Sequence, residues 1–170
     1  MNQPPFEQSI LFVCTGNVFR SVAADYALRA QIGLQSSYRV GSAGIKAKLQ
    51  PIHPIIANRL IGKGIDPSPH IPRMLTRELI DQADLVIAMG QDHREFILQQ
   101  FGLKVPLFNE VSLGEDTPIL DLHEALPDWE RDIDEARAYV ESVIDHIWES
   151  VPALMARLPH FQGGLRPMRP

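Results

Sequence analysis

Ser9-Ile10-Leu11-Phe12-Val13-Cys14-Thr15-Gly16-Asn17-Val18-Phe19-Arg20-Ser21 passes from an apolar run straight into a turn built around glycine and asparagine. The first five residues are β-rich and uninterrupted, the pattern of a buried parallel strand. From Ser21 to Ile32, Ala23, Ala24, Ala27, Leu28 and Ile32 recur at helical spacing, so the turn joins a strand to a helix. Working outward, Tyr38 to Ser42 reads as a second strand, stopped by Gly44, and His53 to Lys63 as an amphipathic helix closed by Gly64. A proline-rich connection, Asp66 to Arg73, leads to a short helix, Arg77 to Ala83, announced by Thr76. Leu85 to Met89 is a third strand, Asp92 to Phe101 a helix, and Val105 to Phe108 a fourth short strand. Residues 109–127 read as a long loop, and Arg131 to about Ile147 as a long amphipathic helix that continues to Leu158 after a kink at Pro152. Strands alternating with helices predict an α/β fold, a small doubly wound sheet of four parallel strands with helices on both faces.

The bulk numbers suit that architecture. The chain has 170 residues, one domain's worth, with 45% hydrophobic and 22% charged residues. The domain is expected over residues 9–158, between an N-terminal tail, 1–8, and a flexible, Gly- and Pro-rich C-terminal tail, 159–170. Met1 to Gln8 lacks the basic-then-apolar order of a signal peptide, and no apolar run nears the ~20 residues that span a bilayer. A cytoplasmic location without membrane insertion is the expectation. The formal net charge of −5 disfavours nucleic acid as a partner, because phosphate backbones select basic faces. One cysteine excludes an internal disulfide, and the six histidines form no close ligand pair, so neither a metal nor another cofactor is expected.

In open α/β sheets ligands bind at the carboxyl ends of the strands, so chemistry is sought in the turn after the first strand. There Cys14 and Arg20 are separated by five residues. The thiol stands where a strand feeds a helix, so the helix N-terminus and its unpaired N–H groups face it and favour anions. Thr15, Gly16, Asn17, Val18 and Phe19 give enough chain to wrap a tetrahedral anion with amides inward. Gly16 and Asn17 tolerate the left-handed backbone that such a wrap needs. Arg20 closes the ring with a planar fork that pairs two phosphoryl oxygens, and Ser21 at the helix start can cap it or donate to the sulfur.

These residues resemble the phosphate-binding loop of the low-molecular-weight protein tyrosine phosphatases, whose pattern is cysteine, any residue, glycine, asparagine, isoleucine or threonine, cysteine, arginine, serine, proline. Gly41-Ser42-Ala43-Gly44, Asp66 to Arg73 and Leu85 to Met89 resemble further family segments, so the similarity covers roughly residues 9–150. The resemblance implies that Cys14 is the nucleophile of a phosphocysteine intermediate, that Arg20 and the loop amides bind the phosphoryl group, and that Ser21 supports the sulfur as leaving group. It implies loop support from Ser42 and His70, which would hold Asn17 in a strained conformation, and from Asp25, which would pair with His70. It places the general acid at Asp128, in Leu126-Pro127-Asp128-Trp129, with Trp129 walling the pocket and stacking on the substrate ring. The proline that normally follows this acid is missing. Asp128 as a helix cap, and Asp116 or Asp121 as the acid, therefore stay open. Three further departures are Phe19 for the second cysteine, Val22 for the proline after Ser21, and Gly90 for an aspartate after the third strand.

The implied activity is hydrolysis of phosphotyrosine, on a protein or a small aryl phosphate. Arsenate reduction is the nearest rival, and with Cys14 alone it would need an external thiol. Val18, where arginine-phosphate-specific relatives carry threonine, speaks against that specificity. A non-catalytic phosphate- or phosphotyrosine-binding module is the reading from another class; it predicts binding without turnover.

Overall fold

The computed structural model describes residues 8–33 and 37–161. Three parallel strands form the sheet: β1 (Gln8–Cys14) in the centre, β2 (Tyr38–Gly44) on one side and β3 (Leu85–Ala88) on the other. Register pairs Cys14 with Gly44 and Val13 with Ala88, so the carboxyl ends of all three strands meet at one edge. The side chains of β1 alternate between two cores, as a period of two demands. Ile10, Phe12 and Cys14 face α1 (Arg20–Ile32), α5 (Phe108–Leu113) and α7 (Ile133–Phe161). Leu11 and Val13 face the opposite core, with Ile80 of α3 (Arg77–Gln82) and Ile97 of α4 (Gln91–Phe101). Helices on both faces bury the central strand from Ile10 to Cys14, which is why that stretch runs apolar without a break.

The expected fourth strand is reduced to a single parallel bridge between Ala88 and Leu107. Pro106 accepts a bond from the Ala88 N–H at 3.0 Å, but it has no N–H to return to the ladder. Phe108 then opens α5. The segment 109–127 is not one loop: it holds most of α5 and the one-turn α6 (Leu122–Ala125), before a 3-10 turn at Trp129–Arg131. Helix α2 is Pro54–Gly62, with the His53 ring accepting from the Ile55 N–H as its cap.

Helix α7 runs on through Pro152 and Leu158 to Phe161. Proline removes an N–H, leaving the carbonyl four residues earlier without its helical donor. That carbonyl belongs to Trp148, and Gln31 of α1 supplies the missing bond at 2.9 Å. The packing of α1 on α7 thus absorbs the defect. Residues 1–7 and 162–170 of the expected tails lie outside the described residues. No helix among those described is long and apolar enough to cross a membrane.

Candidate active site

The loop between β1 and α1 is held from beneath by the end of β2. Ile45 donates to the Cys14 carbonyl at 3.0 Å and Lys46 to that of Thr15 at 2.9 Å. Gly44 sits so close that a Cβ there would lie 2.5 Å from the Thr15 oxygen and 2.9 Å from the Asn17 nitrogen. Both are backbone atoms that have nowhere to retreat. Gly44→Ala is therefore expected to cost about 1–3 kcal/mol through overpacking, with a shifted loop and weakened phosphate binding. A urea midpoint unchanged from wild type would contradict this.

Within the loop Asn17 adopts φ +56°, the left-handed region, and is the one non-glycine among the described residues to do so. Three contacts hold it there. His70 Nε2 donates to its carbonyl at 2.7 Å, the Arg73 N–H donates to Oδ1 at 3.0 Å, and Nδ2 donates to Ser21 Oγ at 3.0 Å. With Oδ1 accepting and Nδ2 donating, the orientation of the amide is determined. Ser21 Oγ lies 2.8 Å from the Cys14 sulfur. Since Ser21 already accepts from Asn17, its own proton is free to point at the sulfur.

Ser42 does not hold Asn17, as the resemblance implied; its hydroxyl donates to Asp25 Oδ2 at 2.9 Å. Arg29 is the ion partner of Asp25, at 2.6 Å. Burial raises the Asp25 carboxyl above the usual carboxylate range, opposed by Arg29, the Ser42 bond and the nearby His70. This group braces α1 against β2 one layer below the loop. His70 stacks edge-on against Tyr26, with ring centroids 6.0 Å apart.

Arg20 is 1% exposed, an unusual burial for a guanidinium. Nη1 donates to the Ile119 carbonyl at 2.8 Å and Nη2 to Thr15 Oγ1 at 3.3 Å. Asp121 lies 3.4 Å from Nη2 and Glu124 3.6 Å from Nη1. Nε is buried with no hydrogen-bond partner. A buried cationic donor left unsatisfied is expensive, and an acceptor brought to it would relieve that cost.

The three carboxylates weighed as the acid are placed very differently. Asp128 is 76% exposed, with Arg131 at 3.9 Å, and it makes no side-chain cap. The side chain at the start of α7 that accepts from the helix is Asp132, from Glu135 N–H at 3.0 Å. Asp116 is exposed and pairs with Arg94 at 2.8 Å. Asp121 alone of the three is held against Arg20. Its Oδ1 caps α6 through the Leu122 N–H at 2.9 Å, leaving Oδ2 toward Arg20 and, at 3.3 Å, toward His123.

Beside the loop opens a cavity of about 350 Å³ whose lining includes Val18, Phe19, His53, Asp121, Leu122 and Trp129. Phe19 is 5% exposed and also part of the core, so this residue in place of the second cysteine is a structural wall. Trp129 stands edge-on to His53, centroids 6.2 Å apart, and the two flank the cavity. The sequence pattern had not singled out His53 or His93. His93 stands three residues beyond Gly90, at the carboxyl end of β3, where ligand-facing residues concentrate; that placement was its one available signal.

The model of the low molecular weight phosphotyrosine protein phosphatases matches residues 9–162. A low molecular weight protein-tyrosine-phosphatase of Acinetobacter johnsonii is 38% identical over 97 residues, covering 54% of this chain and 63% of that protein. A protein-arginine-phosphatase of Bacillus subtilis is 36% identical over 119 residues, covering 66% and 77%. Among solved structures, a mutant of the YwlE arginine phosphatase with a phosphorylated active-site serine superposes with a TM-score of 0.74 at 29% identity, covering 89% of this chain and 96% of that one. With the match running from the first strand through the last helix, the chain belongs to the low molecular weight phosphotyrosine protein phosphatase family.

Proposed function

We propose that this protein hydrolyses aryl phosphate monoesters, with phosphotyrosine on a protein or a small aryl phosphate as substrate, through a phosphocysteine on Cys14. The observation that carries this reading is the buried, unpartnered Arg20 Nε in the loop that begins at Cys14. The Cys14 sulfur attacks phosphorus in line with the leaving oxygen, and the P–O bond to the aryl group breaks. Arg20 and the loop amides carry the charge on the equatorial oxygens. Ser21 donates to the sulfur, stabilising it when the S–P bond later breaks. Asp121 takes the acid role first expected of Asp128: it protonates the departing phenolate, then accepts a proton from the water that attacks the phosphocysteine. Inorganic phosphate leaves and the thiolate is restored.

The cavity beside the loop supports an aromatic substrate. Val18, Phe19, Leu122 and Trp129 present apolar wall, and a phenyl ring fits the volume. A cytoplasmic setting, and a catalytic unit over residues 9–158 flanked by short tails, belong to the same reading. The test is phosphate release from a phosphotyrosine peptide, from p-nitrophenyl phosphate and from a phosphoarginine peptide. Phosphotyrosine and the nitrophenyl ester should turn over at least tenfold faster in kcat/KM than phosphoarginine. The reverse order would assign the specificity of the Bacillus subtilis relative instead. Binding of phosphotyrosine without any release would leave a recognition module.

A further inference from the structure

His93 is fully buried in the first turn of α4, and its two ring nitrogens have distinct partners. The Gly90 N–H donates to Nδ1 at 2.9 Å. A peptide nitrogen only donates, so Nδ1 is the bare nitrogen and the ring proton of a neutral imidazole lies on Nε2. Burial, reinforced by the charge of Arg20, lowers the His93 pKa to about 4 against the pull of Asp92 and Asp121, so the ring is neutral at physiological pH. Nε2 is 2.8 Å from Thr15 Oγ1; the half-exposed Asp92 carboxylate stands farther away, at 3.5 Å. Nε2–H therefore donates to the threonine hydroxyl.

That oxygen also accepts from Arg20 Nη2 at 3.3 Å. A hydroxyl oxygen has two lone pairs, and both are now engaged. Its own proton must leave in the remaining direction. Thr15 is the residue next to Cys14 and the first of the anion-binding loop. We infer that His93 is a positioning residue: by donating to Thr15 Oγ1, it makes this hydroxyl an acceptor that braces Arg20 and a proton donor to the phosphoryl group on Cys14. The inference rests on the phosphatase reading above. It adds to the loop amides and the Arg20 fork a side-chain donor oriented through a third residue.

The test is a double-mutant cycle on the full chain with Thr15→Val, His93→Leu and the pair, reading kcat/KM for p-nitrophenyl phosphate and the inhibition constant of orthovanadate. Thr15→Val should lower kcat/KM about 10–100-fold and weaken vanadate, the scale of one hydrogen bond to a charged group. His93→Leu should lose about 10-fold or more, and the double variant should be no worse than Thr15→Val alone. His93→Gln, whose amide can donate from near the Nε2 position, should recover most of the loss and guards against a folding defect in the leucine variant. A purely structural histidine predicts otherwise: additive losses, a lowered urea midpoint and unchanged vanadate affinity. Losses that multiply in the double variant, or a Thr15→Val enzyme within twofold of wild type, would overturn the inference while leaving the phosphatase reading intact. A wild-type protein that neither turns over nor binds vanadate overturns both.

Discussion

Replacing Cys14 by serine is expected to lower turnover of p-nitrophenyl phosphate by about 10⁴-fold or more, the scale on which loss of a catalytic nucleophile registers. A serine hydroxyl at neutral pH is a far weaker nucleophile than a thiolate, and no second thiol exists in the chain to take over. The fold should survive, because the substitution changes one buried atom at the end of β1 and leaves the Asn17, Ser21 and Arg20 contacts in place. Inorganic phosphate should still raise the urea midpoint of the Cys14→Ser protein, since the amides and Arg20 that hold it are untouched. Arg20→Lys should do the opposite. Phosphate protection should vanish along with about 10²–10³-fold of activity, because a point charge can neither reach Ile119 and Thr15 together nor offer a fork to the anion. Appreciable turnover by the Cys14→Ser protein would sink the phosphocysteine mechanism.

Asp121→Asn is expected to slow hydrolysis of phenyl phosphate by about 10²–10⁴-fold, whereas Asp128→Asn should stay within about twofold of wild type. Phenol has a pKa near ~10, so its anion leaves poorly without a proton; nitrophenolate is a better leaving group and needs less help. The Asp121→Asn defect should accordingly shrink as the leaving group becomes more acidic, a trend readable from a series of substituted phenyl phosphates. Asparagine keeps the cap on the Leu122 N–H through its side-chain oxygen, so α6 stays in place and the loss reports on the proton. If Asp128→Asn shows the leaving-group trend and Asp121→Asn does not, the segment from Leu126 to Trp129 must swing in to meet the substrate, and the earlier expectation stands.

The passage from Ile10 to Ser21 was readable because each of its features is local. An apolar run specifies a buried strand, Asn17 is a residue type that tolerates the left-handed backbone it adopts (Gly16, expected to share it, does not), and the spacing of Cys14 and Arg20 is a matter of chain length alone. Both faces of the sheet followed from the same local signals, repeated at β2 and β3. The fourth strand failed because an apolar run carries no information about whether its N–H groups will find partners. Pro106 left it only one bridge. The long region 109–127 concealed two short helices for a related reason. Helices of six and four residues show too few turns for periodicity, and they exist by packing and capping against the rest of the molecule.

The acid could not be chosen in one dimension. Asp116, Asp121 and Asp128 share a residue type and a stretch of chain, and a sequence pattern anchored on a missing proline cannot rank them. The ranking came from Ile119, whose N–H donates to the Met89 carbonyl beside β3 and whose carbonyl accepts from Arg20, so the chain delivers Asp121 to the guanidinium two residues later. His93 was invisible for the same reason, since its meaning lies in Gly90 on one nitrogen and Thr15, 78 positions away in sequence, on the other. The amino-acid sequence by itself determined the strand-loop-helix unit and the placing of Cys14 and Arg20 at its two ends, because turn chemistry and residue spacing act within a dozen positions. Only the tertiary structure decided which carboxylate faces Arg20, which histidine bonds to Thr15 and why Gly44 must lack a side chain, because each depends on distances between segments that nothing in their own sequence brings together.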